Sequence, residues 1–238
     1  MKMRIAICLV LLFTTKRAKA FPEIEKYPIY LVVCKTQYEL TSAFMRPQEY
    51  YESPKFKGQI FSWEEYMDWY AQEKGNFTYF QDWNGFNIPS NILAPFYRGD
   101  FNPLTNKEKR LLSFFKDIEG DFYVIGVWQQ GKALKHEFIH GLFYFDHLYR
   151  EAVRQCLGHF NVSKVKTALL EKGYHEDSVA DEINAYILTG IEKLTDVKEE
   201  DIRDLREELL KIFEDRFGYS ILNAADNFLT QRIHVIYF

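Results

Sequence analysis

His136-Glu137-Phe138-Ile139-His140 is the stretch in which residue type and spacing could do chemistry. On a helix, residues four apart stack on one face, so His136 and His140 can turn their imidazoles to a single ion while Glu137 leans over the same edge. Imidazole is a preferred donor to zinc, and a carboxylate beside the ion can serve as the base for water. The spacing predicts a two-histidine zinc site that carries its own base.

Such a site needs a helix to hold it. Residues 133–145 contain no proline and one glycine, Gly141, and Leu134, Phe138, Leu142 and Phe145 form an apolar stripe at helical spacing. Ile139 and Phe143 place apolar surface elsewhere on the wheel, which predicts a helix covered on most sides. Burying two imidazoles and a carboxylate is costly unless a partner satisfies them. A metal ion would do so; in the plainer alternative, the histidines bond to backbone or carboxylate groups of a core helix.

Catalytic zinc commonly takes one protein ligand more than the two histidines supply. The segment Ser178-Val-Ala-Asp-Glu-Ile-Asn-Ala-Tyr-Ile-Leu188 offers Glu182, which shares a helix face with Ser178, Ala185 and Tyr186. The small residues of that face would let the two helices approach closely. Asp181 points to a neighbouring face and could orient a histidine. Asp146 is the rival ligand, whereas His147 lies too far along a straight helix from His140 to share the ion. His159, His175 and His234 are read as surface or satisfied core residues.

With Glu182 added, the pattern resembles the zincin metallopeptidases, and among them the glutamate-ligand group called gluzincins. His136 and His140 resemble the histidine ligands, Glu137 the catalytic glutamate and Glu182 the third ligand. The likeness covers two short helical segments. The metzincin pattern fits less well, because Phe143 stands where it has glycine and Asp146 where it has a ligand. The resemblance implies an α+β, zincin-like fold: an N-terminal mixed α/β lobe carrying the histidine helix (about 21–147) facing a mainly helical C-terminal lobe (148–238). It implies one Zn2+ per chain, a peptide or protein substrate, and hydrolysis with Glu137 as general base. The oxyanion would need a stabiliser besides zinc. Tyr186, one turn after Glu182, is the first candidate, with Tyr144 and His175 behind it. From another class comes a second expectation: a secreted binding protein that keeps a zinc site, or only a polar cluster, for stability. Hydrolysis of some other amide is a third.

The chain has 238 residues, which suits one domain of ordinary size or two lobes across a cleft. Its net charge is −4, and no basic cluster lies beyond the extreme N-terminus, so nucleic acid is not an expected partner. Aromatics are abundant, with 21 Phe and 16 Tyr, and packing is their usual use. Residues 1–20 read as a signal peptide: Lys2 and Arg4, an apolar run over 5–13, and Ala18-Lys19-Ala20 before Phe21. Export to a periplasmic or extracellular location follows, without a stable membrane span once that segment is removed, because the run is too short to cross a bilayer. Cys34 and Cys156 then remain and could form one disulfide.

Elsewhere, residues 28–34, 121–128 and 233–238 read as strands. The second of these runs straight into the histidine helix and could pair with an extended peptide, provided that its edge is open. Ser62 with Glu65, and Thr105 with Glu108, are capping boxes that predict helices over 62–75 and 105–117. Asn84-Gly85 predicts a hairpin between 76–80 and 85–88. The segment after Arg46-Pro47 shows no periodicity, and 89–103 reads as loop. From residue 148 onward, helices are predicted over 148–157, 163–171, 178–194 and 196–217.

Overall fold

The β-branched run Ile-Tyr-Leu-Val-Val forms β1 (Ile29–Val33), at the heart of a four-stranded mixed sheet. The computed structural model describes residues 26–238, so the signal-peptide expectation for 1–20 lies outside the described residues. In chain order, β1 is followed by α1 (Gln37–Glu52), α2 (Trp63–Lys74), α3 (Tyr79–Asp82), β2 (Gly85–Pro89), α4 (Ala94–Arg98), α5 (Asn106–Ser113) and β3 (Tyr123–Val127). Then come α6 (Lys132–Phe145), α7 (His147–Leu157), α8 (Ser163–Lys172), α9 (Val179–Thr189), α10 (Glu199–Phe217), α11 (Asp226–Thr230) and β4 (His234–Tyr237). The fold is α+β, as expected.

The strand order is β2-β3-β1-β4. β1 pairs in parallel with β3, Leu31 opposite Ile125, and with β4, Leu31 opposite Val235. β2 runs antiparallel to β3 with Asn87 opposite Ile125. Both edges of β3 are therefore taken, and the sheet edge nearest the histidine helix belongs to β2. The other edge strand is β4, so β3 itself cannot take up an extended peptide.

Alternation along the strands divides the apolar residues between two cores. Ile29, Leu31, Tyr123, Ile125 and Val127 face the core built with α6, α7, α9 and α10, while Val32 and Val124 face an aromatic-rich core under α1, α2 and α5. Most of the aromatic content is spent in that second core; Phe96 and Phe101, for example, stack with centroids 4.0 Å apart. Cys34 and Cys156 are both buried free thiols, one in each core, so the disulfide expectation is corrected. Among the described residues, no helix is long and apolar enough to cross a membrane.

Three local expectations also change. The aperiodic segment after Pro47 begins as the end of the sixteen-residue α1, which is N-capped by Thr36, has Pro47 inside it and buries every residue from Leu40 to Glu49. A helix covered on all sides has no apolar face to announce it. The hairpin is absent: residues 79–82 form a helix and Gly85–Pro89 pairs with β3 instead. The expected loop over 89–103 contains a 3-10 turn (Ser90–Leu93) and α4. The C-terminal helices stand where periodicity puts them, though α9 stops at Thr189; earlier in the chain, α5 stops at Ser113.

Candidate metal centre

α6 carries the histidines because its apolar residues leave it one way to pack. Leu134, Phe138, Ile139 and Leu142 are fully buried and lay the helix along the sheet. Gly141 completes that approach, since a Cβ there would lie 2.6 Å from the Ile29 Cδ1 atom. α9 packs beside α6, with Ile183, Ala185, Ile187 and Leu188 buried in the same core. The two helices bring His136, His140 and Glu182 to one point, where one donor atom from each lies within 4.8 Å of the others.

The far side of each imidazole determines what its near side can do. His136 Nδ1 lies 3.2 Å from Thr189 Oγ1, whose own proton is donated to the Ala185 carbonyl at 2.7 Å. The hydroxyl must therefore accept, so Nδ1 carries the proton and Nε2 presents a lone pair 3.7 Å from Glu182 Oε2. His140 Nδ1 makes an ion-pair contact with Asp181 Oδ1 at 3.0 Å, off the in-line direction of a hydrogen bond. His140 Nε2 faces Glu182 Oε1 at 3.6 Å. Among the described residues, His140 Nε2 and Glu182 Oε2 are buried without any hydrogen-bond partner.

The electrostatics of this point favour a cation. Burial raises the Glu182 and Asp181 carboxyls above their ordinary values, against the pull of His140. Burial, with His140 acting in the same direction, pushes His136 down to about 4. For His140 burial also acts downward, but Asp181, Glu182 and Glu137 together outweigh it and hold the imidazole well above its ordinary range. The carboxylates thus recruit a proton onto His140 as their counter-charge. A divalent ion between the three donors would serve the same purpose and satisfy both orphaned atoms, and a two-imidazole, one-carboxylate set suits zinc. The residues present fit the metal.

Glu137 stands beside this point and is held by β2. Its Oε2 accepts from Asn87 Nδ2 at 3.0 Å, and the Asn87 side-chain oxygen accepts from Tyr123 Oη at 2.5 Å. The Asn87 backbone N–H donates to Gln48 Oε1 at 3.1 Å, and Gln48 Nε2 donates to Glu52 Oε1 at 2.5 Å. Gly85 permits the approach, because a Cβ on it would lie 2.2 Å from Glu137 Oε1. Burial raises the Glu137 carboxyl, while His136 and His140 oppose the shift. Glu52 is raised well above the carboxylate range, first by burial and then by Glu182.

A cavity of about 310 Å³ opens over His136, Glu137, His140 and Glu182. A second, of about 560 Å³, shares Glu52, Asn87 and Glu182 with the first. Compared with protein-family models, curated proteins and solved structures, the chain matches none. What the site can hold follows from its own geometry.

That geometry sorts the residues named from sequence. Tyr186 lines the first cavity, sets its ring against His136 at 4.7 Å and shares a hydrogen bond with the Tyr174 hydroxyl at 3.1 Å. Asp146 is engaged elsewhere: it caps α7 by accepting from the Tyr149 N–H at 2.9 Å and binds Arg216 Nε at 2.7 Å. Tyr144 packs on Tyr123 with ring centroids 5.0 Å apart and lines only the second cavity. His175 sits 3.5 Å from Lys57 Nζ and 3.3 Å from Asp177. Asn87, Gln48 and Glu52 went unread, and Gly85 was read only as a turn residue, since no local pattern ties them to Glu137. Thr189 was within reach, one turn beyond Ala185 on the Glu182 face.

Proposed function

We propose that this chain is a zinc-dependent peptide hydrolase of the zincin type, with His136, His140 and Glu182 holding one Zn2+ and Glu137 as general base. The observation that carries the reading is the convergence of three donors from two helices, two of whose atoms are buried and orphaned, beside a braced glutamate. When bound, zinc supplies Lewis acidity, which makes water a competent nucleophile near neutrality and draws charge from a carbonyl oxygen.

The chain's own residues do the rest. Asn87 occupies Glu137 Oε2, which leaves Oε1 to take a proton as water adds to the carbonyl carbon. A carboxyl raised by burial is a stronger base than a solvated one and can return that proton to the departing amine. The Tyr186 and Tyr174 hydroxyls bond to each other at the cavity wall, and one of them can donate to the oxyanion while the other holds it in place. Thr189 and Asp181 keep both imidazoles turned to the centre. In this reading α6 and the sheet face the later helices across the cleft, and the N-terminal twenty residues direct export.

The test joins metal analysis to cleavage. The purified protein should hold about one zinc per chain and cut peptides from an unbiased library. Glu182→Ala should lose the metal, and Glu137→Gln should keep it and stop cleavage. No zinc uptake by the wild type would make the α6 histidines structural, and zinc without cleavage would favour the metal-stabilised binding protein.

A further inference from the structure

Six carboxylates and three lysines line the first cavity, and among the described residues two of those lysines have no carboxylate within ion-pair distance. Each carboxylate there has a partner or a role. Asp82 Oδ2 accepts from the hydroxyls of Tyr70 at 2.5 Å and Thr78 at 2.6 Å, and Glu49 accepts from the Tyr79 hydroxyl at 2.8 Å. Glu192 pairs with Lys132. Glu52 and Glu137 are bonded as described, and Glu182 belongs to the metal centre.

Lys172 and Lys193 also line this cavity, and among the described residues neither ammonium lies within ion-pair distance of a carboxylate. Lys172 ends α8 half-buried, its ammonium 5.5 Å from the centre of the Trp83 ring. Burial lowers its pKa, and Lys193 and Lys74 lower it further, so the cations crowd one another. Glu182 and Asp82 act on it in the opposite sense, and Lys172 lines the same cavity as the metal ligands. A desolvated ammonium set over an aromatic face, repelled by a neighbouring lysine and open to a cavity, is complementary to an anion.

We infer that this wall selects a substrate bearing a carboxylate beside the bond to be cut, with Lys172 the specificity-determining residue and Lys193 its support. The inference rests on the peptide-hydrolase reading for the bond and on Lys172 itself for the charge. A carboxylate can come from an acidic side chain or from the end of a peptide, and the two sources are separable.

The experiment uses zinc-loaded protein and short peptides in matched pairs differing only in glutamate or glutamine, placed in turn at each position, each with a free or an amidated C-terminus. Binding is titrated calorimetrically on the Glu137→Gln variant, and cleavage by protein with Glu137 intact is followed by mass spectrometry. The acidic member should bind about tenfold more tightly than its neutral twin, the worth of one charge-assisted contact. Lys172→Gln should abolish the preference, Lys172→Arg should keep it, and Lys172→Glu should turn it toward lysine-bearing peptides. Preference for glutamate identifies the side chain, and preference for the free terminus identifies the chain end. Equal binding of acidic and neutral twins, no binding of either, or a preference that survives Lys172→Gln overturns the inference. Preferential binding without cleavage would remove the hydrolase reading and leave the anion wall standing; cleavage without preference would do the reverse.

Discussion

Glu137 shows how much a single side chain here depends on what it touches. Its position is set by Gly85, which has no Cβ to occupy the space of Oε1, and by the amide of Asn87. Gly85→Ala should therefore lower kcat by about 10²-fold or more, the usual worth of a positioned base, with zinc content unchanged; steady-state kinetics beside metal analysis would check this. Glu49 offers a second residue-level prediction, about pH. Burial raises its carboxyl to about 7 from 4.5, with the hydrogen bond from Tyr79 foremost among the opposing contacts. The folded state thus holds this proton more tightly than the unfolded state. The contribution is fully present below about pH 4.5 and is lost as pH rises through about 7. Glu49→Gln keeps an acceptor for Tyr79 and removes the charge. It should be neutral at the acid end and stabilising by up to roughly 3 kcal/mol above neutrality, read as the difference in thermal midpoints across pH.

Among the elements, α1 and α5 illustrate what local pattern can and cannot reveal. The capping boxes Ser62/Glu65 and Thr105/Glu108 form as their spacing requires, because each involves a side chain and a backbone N–H only three residues away. Glu108 has a further task that spacing does not disclose. Its carboxylate takes Arg46 Nε at 2.6 Å and Nη2 at 2.7 Å in a fully buried pair that ties α5 to α1. Glu108→Ala should cost about 3–5 kcal/mol in denaturant unfolding, since it strands the Arg46 charge in the core. That is several times the cost of losing a cap alone, about 1 kcal/mol. α1 itself escaped sequence reading, because Pro47 sits inside it and residues of every type are buried around it. Its Gln48 and Glu52, which reach the centre through Asn87, were lost with it.

For the molecule as a whole, metal binding and folding should be coupled, since the donors come from helices that meet only in the native state. Zinc at a hundredfold its Kd should stabilise the protein by about 2.7 kcal/mol, seen as a rise in thermal midpoint. Glu182→Ala should abolish the rise, whereas Asp146→Ala should lose a helix cap and keep the zinc response. The histidine helix, its apolar stripe, the Glu182 face and the helical C-terminal half were all readable from residue order. Each depends on contacts a turn or so apart, and such contacts repeat along any chain that has the spacing. The interior place of β3, the brace on Glu137 and the lysine wall had to await the fold. Asn87 and Glu137 lie fifty residues apart, and the sheet joins β1 near one end of the described chain to β4 at the other. Such partners are chosen by how two covered faces fit together in space, a choice that no periodicity along the chain records.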